Sequence, residues 1–164
     1  MAEVKVGVIG VGVLGRHHAR LYKECGNARL IGIYDVNPEQ GAKIAEEFST
    51  TYFDDINKLA DAVDAVSVAT PTDLHFDVVE ALLKKGKHVL VEKPITTTVE
   101  EAHTLVALAK ENNVALMVGH VERFNPVMDY LESKLDDPMF IEAHRLAPYP
   151  PVRPGLRPRG TEVG

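Results

Sequence analysis

The chain has 164 residues, 45% of them hydrophobic and 26% charged, with a formal net charge of −6. That is enough for one ordinary domain with its own core, and the negative balance argues against a nucleic-acid binder. No apolar run approaches the roughly 20 residues of a membrane span, and the single cysteine, Cys25, excludes an intrachain disulfide.

Met1-Ala2-Glu3 lacks the pattern of a signal peptide, so a cytoplasmic protein is expected. Val4 to Ile9 then reads as a short buried strand. Gly10-Val11-Gly12-Val13-Leu14-Gly15 follows, and a helical pattern begins behind it. This is G-x-G-x-x-G in the context that gives it meaning: strand, tight turn, helix. The first glycine permits the turn, the second removes a Cβ where a pyrophosphate would approach, and the third lets the helix pack on the strand. The helix start adds free N–H groups and a partial positive charge. Gly10, Gly12, Val13, Leu14 and Gly15 are therefore candidate cofactor-binding residues.

A second predicted strand, 28–34, ends at Asp35, 20 residues after Gly15. That is the spacing of a carboxylate that accepts from a ribose 2′-hydroxyl. Asp35 also fits a plain turn before Asn37-Pro38, but the joint pattern favours the cofactor. An acid here favours NAD over NADP, because a 2′-phosphate would meet like charge and the next base is Lys43.

Further strands are predicted over 63–69, 87–91 and 114–118, with a weak one over 51–53. Their near-continuous apolar runs suit strands covered on both faces. Helical patterns fill the gaps: Leu74, Val78 and Leu82 with Val79 and Leu83 line one face, and Ala102, Leu105, Val106 and Ala109 another. Asn37 precedes a proline at a first helical position, Thr98 and Glu101 have capping-box spacing, and Gly26 and Gly86 fall where helices stop. Alternating strands and helices imply an α/β domain, a doubly wound parallel sheet of the Rossmann type that binds a dinucleotide, over residues 1–125. Met139 to Leu146 looks like one more strand, and residues 147–164, with five prolines and three arginines, like an irregular tail.

In such sheets ligands bind beyond the carboxyl ends of the strands. The stretches that follow the predicted strands are Gly10 to Gly15, Asp35, Thr70-Pro71-Thr72, Glu92-Lys93-Pro94 and Gly119-His120, so one edge collects the chemistry. Thr70, Pro71 and Thr72 sit where a loop would touch the ribose or nicotinamide; as a plain N-cap, Thr72 would only start the next helix. His75 lies in the first turn behind them, a lone histidine of the kind more often structural than catalytic. Lys93 in a dry cleft beside a cofactor could take or hold a hydroxyl proton. Alone in a turn it would be a solvated lysine, but the ligand edge favours a role. His120 is a candidate acid or base after the last strand. Arg123 is a candidate anchor for an anionic substrate group, or a partner for Glu92 or Glu122. His17 and His18 begin the first helix. The seven histidines and one cysteine have no metal-ligand spacing, and Ser67 has no nucleophile elbow.

With these residues in view, the chain resembles the Gfo/Idh/MocA oxidoreductases, the family of glucose–fructose oxidoreductase and inositol dehydrogenase. The matching stretches are GVIGVGVLGRHHARLY, the acid of IGIYDVNPE, ATPTDLH, VLVEKPIT and GHVERFNP, in that order over about residues 4–126. The resemblance implies an NAD(P)-dependent dehydrogenase that moves a hydride between nicotinamide and a hydroxyl carbon of a sugar, cyclitol or nucleotide sugar. It implies Lys93 at the substrate, Glu92 and Lys93 beside the cofactor with Glu92 in a structural role that holds this loop, a cis Lys93–Pro94 bond and a homo-oligomer. GHVERFNP followed by IEAHR is similar to the branch of UDP-N-acetylglucosamine 3-dehydrogenases.

Family members continue into a second α/β domain with an Asp-x-x-x-His motif that this sequence does not contain. The expectation is the cofactor half of a longer enzyme, with the substrate domain absent. Residues 126–146 would be a linking helix and the opening strand of that domain, and the chain would be inactive alone. It would self-associate through the uncovered strand. The alternatives are a non-catalytic dinucleotide-binding or redox-sensing module, and imine or enone reduction on the same scaffold.

Overall fold

Short branched runs alternate with helical segments along the chain. The computed structural model describes residues 3–137, 139–142 and 144. The elements are β1 (Val4–Ile9), α1 (Val13–Glu24), β2 (Ala28–Tyr34), α2 (Pro38–Glu47), β3 (Thr51–Tyr52), α3 (Ile56–Ala62), β4 (Ala65–Val68), α4 (His75–Lys84), β5 (His88–Val91), α5 (Val99–Glu111), β6 (Leu116–Val118) and α6 (Pro126–Glu132). Single 3-10 turns lie at Thr72–Leu74 and Val121–Phe124. The described residues divide into two compact units after Arg123, the first holding the sheet and the second holding α6.

Local chemistry sets the boundaries. The Asn37 side chain accepts from the N–H groups of Glu39 and Gln40, and Asp55 from that of Asn57. Thr98 and Glu101 form the reciprocal capping box that opens α5. Helix α4 stops at Gly86, whose φ of 69° lets Lys87 N–H reach Leu82 O at 3.0 Å and Gly86 N–H reach Leu83 O at 2.9 Å. Helix α1 also ends just before its glycine, with Cys25 as the cap, but Gly26 does not enter the left-handed region. Strand β6 starts later than its apolar run because Val114 N–H turns back to Ala109 O at 3.0 Å and closes α5.

The six strands form one sheet in the order β3-β2-β1-β4-β5-β6, with every pair parallel. This is the doubly wound order in which the chain reverses direction between β1 and β4. Two apolar cores are built on it. One gathers Val6, Val8, Leu30 and Ile33 with Ala19 of α1 and Ile44 of α2. The other gathers Ile9, Val66, Val68, Val89 and Val91 with Leu59 of α3, Leu82 and Leu83 of α4, and Leu105 of α5.

Three expectations are corrected. Leu74 lies in the 3-10 turn before α4 and is 45% exposed, so the buried stripe of α4 is carried by Val79, Leu82 and Leu83. Val106 is exposed, and Leu105 and Ala109 face the core of α5. Of the run expected as a strand from Met139 to Leu146, residues 139–142 and 144 carry no strand, and the rest, like the tail 147–164, lies outside the described residues.

Candidate functional site

The register fixes which residues share the ligand edge. Ile9 aligns with Tyr34 and Val68, Val68 with Val91, and Val91 with Val118. The next position of each strand therefore puts Asp35, Gly10, Ala69, Glu92 and Gly119 in one row.

The glycines of the first turn differ in what they do. Gly10 has φ +81°, and a Cβ there would stand 2.8 Å from Ala69 O. A Cβ on Gly15 would stand 1.8 Å from Gly10 O, so helix and turn meet backbone to backbone. A Cβ on Gly12 would meet nothing within 4 Å: this glycine faces open space. Helix α1 begins there with no side-chain cap and no acid in its first turn, whereas α2, α3, α5 and α6 are each capped by Asn, Asp or Thr. Its first N–H groups are thus left to an outside acceptor. Val13 and Leu14 beside them are exposed. An open cradle over an uncapped helix start fits a dinucleotide pyrophosphate.

Asp35 is half-buried at the end of β2 and serves both readings made of it. Its Oδ1 accepts from Asn37 N–H at 2.9 Å, the turn role. Its Oδ2 accepts from Val11 N–H at 2.8 Å, which ties β2 to the glycine turn. The Gln40 amide holds the other side of Val11, donating to its carbonyl at 3.2 Å. Each carboxylate oxygen keeps a second acceptor site for a ribose hydroxyl. Arg16, just behind the glycine turn, forks onto Glu47. Glu47 raises the Arg16 guanidinium, and Arg16 holds the Glu47 carboxyl below the usual range.

In the loop after β4, Thr70 Oγ1 is buried and has no hydrogen-bond partner. A buried hydroxyl without a partner is a polar group whose hydrogen bond the protein does not itself supply. Pro71 is exposed and Thr72 half-buried. Thr72 does not cap α4: it opens the 3-10 turn that follows Pro71, and Leu74 stands at the cap position of α4 with no side-chain cap bond. His75 was a candidate cofactor contact, but it is only 1% exposed. Its two ring nitrogens lie 2.8 Å from Pro94 O and 2.9 Å from Thr70 O, so it links the loops after β4 and β5.

In the loop after β5, Glu92 is buried at 7% exposure and Lys93 is exposed. Glu92 Oε1 lies 3.0 Å from His18 Nε2 of α1, and Glu92 Oε2 accepts from Lys93 N–H at 3.2 Å. The Lys93–Pro94 bond is cis. Gly119 completes this corner, since a Cβ on it would stand 3.2 Å from the Glu92 carboxylate.

Residues 4–120 match the Gfo/Idh/MocA oxidoreductase family with its NAD-binding Rossmann fold. The chain belongs to this family. It is 41% identical over 152 residues to a UDP-N-acetylglucosamine 3-dehydrogenase of Acidithiobacillus ferrooxidans, covering 92% of this chain and 48% of that protein. A solved structure of that dehydrogenase superimposes with a TM-score of 0.78 over 82% of this chain and 44% of the other. An inositol 2-dehydrogenase of Rhizobium meliloti is 32% identical over 82% of this chain and 41% of its own length. GenD2 of gentamicin A biosynthesis, solved in complex with NAD, is 29% identical, with a TM-score of 0.70 over 73% of this chain and 35% of the other. The chain thus spans about half the length of the curated relatives it matches.

The remaining site residues of this family member lie at the far end of the row. His120 follows β6 and is exposed, its N–H turning back to Val118 O at 2.7 Å. Arg123 is exposed in the next turn, its N–H bonded to His120 O at 3.0 Å. Of the two acids suggested for it, Glu92 is already engaged by His18 and the Lys93 N–H. Two contributors were missed in the sequence. His18 was noted only as part of a helix start, and Gln40 not at all. His18 stands four residues before Tyr22, which bonds Ser67 of β4 at 2.7 Å, so one face of α1 supplies both cross-links. That spacing was the available signal. Among the described residues no group of His, Cys, Asp and Glu could hold a metal ion, and no helix is long and apolar enough to cross a membrane.

Proposed function

We propose that this chain is the dinucleotide-binding half of an NAD-dependent oxidoreductase that moves a hydride between nicotinamide and a hydroxyl carbon of a sugar, cyclitol or nucleotide sugar. The observation that carries it is the single row that brings the uncapped glycine turn, Asp35 and the Lys93 loop to one sheet edge. The pyrophosphate lies over Gly12, with Gly10 and Gly15 giving the turn its shape and Val13 and Leu14 flanking it. The adenosine ribose donates to Asp35. Thr70, Pro71 and Thr72 would border the nicotinamide side.

NAD, when bound, supplies the hydride acceptor. Lys93 holds the substrate hydroxyl and takes up its proton, His120 is the second candidate for that proton, and Arg123 anchors an anionic substrate group. Asp35 favours NAD over NADP, because a 2′-phosphate would face its carboxylate and Arg16 is held by Glu47. UDP-N-acetylglucosamine is the first substrate to try, on the strength of the 41% identity to a dehydrogenase of that sugar nucleotide.

A structure with NAD⁺ bound tests this reading. The nicotinamide is expected toward Lys93 and the adenosine ribose on Asp35; a cofactor lying elsewhere, or reversed, would contradict it. NADH formation from UDP-N-acetylglucosamine or inositol by the protein that carries this domain should be lost in Lys93→Ala while NAD⁺ affinity is kept. Lys93 is what separates this reading from a non-catalytic dinucleotide module.

A further inference from the structure

The turn that carries Lys93 is pinned on both sides of that residue, and each pin ends in a histidine. Upstream, the Lys93 N–H donates to Glu92 Oε2 at 3.2 Å, and the other oxygen of that carboxylate is held by His18 Nε2 at 3.0 Å. Downstream, His75 Nδ1 lies 2.8 Å from the Pro94 carbonyl oxygen, and the other ring nitrogen lies 2.9 Å from Thr70 O. The struts are shielded from water: His75 is 1% and Glu92 7% exposed, and the His18 side chain 14%. Shielded hydrogen bonds hold a geometry that exposed ones exchange with solvent. The Lys93 side chain itself is exposed.

The two histidines also start from the cofactor's own supports. His18 sits one turn into α1, the helix that begins at the glycine turn. Thr70, on the far side of His75, carries the buried hydroxyl without a partner. We propose that His18 and His75 are positioning residues that fix Lys93 relative to the bound dinucleotide, His18 through Glu92 and His75 by bridging the Thr70 and Pro94 carbonyls. This rests on the reading of Lys93 as a residue that faces the cofactor groove.

The two struts differ chemically. Glu92 needs one donor, and a glutamine amide at position 18 supplies it. His75 lies between two carbonyls, with one ring nitrogen within hydrogen-bond distance of each, and one amide group cannot reach across to both. Glutamine should therefore rescue position 18 and not position 75. A role limited to filling space would not discriminate in this way.

The test is acetylation of the lysines of this chain by acetic anhydride, read peptide by peptide by mass spectrometry, with and without saturating NAD⁺. NAD⁺ should slow acetylation of Lys93 at least about tenfold in the wild type. In His18→Ala and His75→Ala the protection should fall below about threefold with NAD⁺ affinity changed less than threefold. His18→Gln should restore it and His75→Gln should not. Full protection in the alanine variants overturns the proposal, as does equal rescue by glutamine at both positions. If an alanine variant does not fold, the two glutamine variants carry the comparison alone.

Bound NAD⁺ that leaves wild-type Lys93 unprotected overturns the reading of Lys93 beneath it. If NAD⁺ does not bind at all, the cofactor reading fails, and the bracket is judged from hydrogen exchange of the Lys93 amide. That exchange should quicken at least tenfold in His18→Ala and return in His18→Gln; wild-type exchange in both overturns the bracket.

Discussion

Alanine at Gly12 should weaken cofactor binding and leave stability unchanged, whereas alanine at Gly15 should cost stability. At Gly12 the new methyl meets nothing within 4 Å, and a φ of −65° is open to alanine. Stability should stay within about 0.5 kcal/mol, as for an exposed position, and the melting temperature within about 2 °C. The methyl instead occupies the space assigned to the pyrophosphate. A loss of at least about 1.4 kcal/mol, or tenfold in NAD⁺ affinity, is expected. At Gly15 the methyl would stand 1.8 Å from Gly10 O, where real contacts keep 3.0 Å, so the backbone must part by more than an ångström. Overpacking of that severity costs about 3 kcal/mol, or roughly 6–12 °C for a chain of this size. The assays are thermal unfolding and calorimetric titration with NAD⁺. Unchanged NAD⁺ affinity in Gly12→Ala, or an unchanged melting temperature in Gly15→Ala, would refute the division of roles.

Tyr22→Phe should cost about 1–3 kcal/mol because it leaves the Ser67 hydroxyl, 0% exposed, without its partner. Adding Ser67→Ala should recover much of that, which a double-mutant cycle in urea would measure. Thr98→Ala should cost about 1 kcal/mol through the α5 capping box. Thr72→Ala should cost less than about 0.5 kcal/mol, since Thr72 caps nothing. Glu101 is held below the usual carboxylate range, first by the Thr97 hydroxyl and then by the Thr97 and Thr98 N–H groups. Its contribution is therefore complete above the unfolded-state value of about 4.3 and is lost as pH falls through the lower folded-state value. Thermal melts from about pH 6 to about pH 3 should show Glu101→Gln losing less stability than the wild type.

The frame of the fold was legible because it rests on local patterns. β1 and β2 follow their apolar runs to the residue, and the two-residue β3 lies inside a run with only a weak signal. The other strands are shorter than their runs because neighbouring helix ends take part of each, as at Val63, which caps α3, and Val114. The site was legible where a turn needs a particular residue, as at Gly10 and Gly15, or where spacing sets reach, as at Asp35. It was not legible where a side chain finds its partner across the sheet. His18 and Glu92 are 74 residues apart, and nothing local to either says that they meet. His75 was a candidate cofactor contact because it follows the ligand loop, yet its ring is buried between the Pro94 and Thr70 carbonyls. Thr72 had the chemistry of a cap, but the 3-10 turn over Thr72–Leu74 puts Leu74 at the cap of α4 instead.

The most direct measurement is calorimetric titration of the chain with NAD⁺ and, separately, NADP⁺, in the wild type and in Asp35→Ala. The wild type should bind NAD⁺ at least about tenfold more tightly than NADP⁺, a difference of about 1.4 kcal/mol. Asp35→Ala should weaken NAD⁺ through the loosened Val11 turn and should abolish the preference. A wild type that binds NADP⁺ as well as NAD⁺, or a preference that survives without Asp35, would contradict the assignment of this carboxylate to the adenosine ribose.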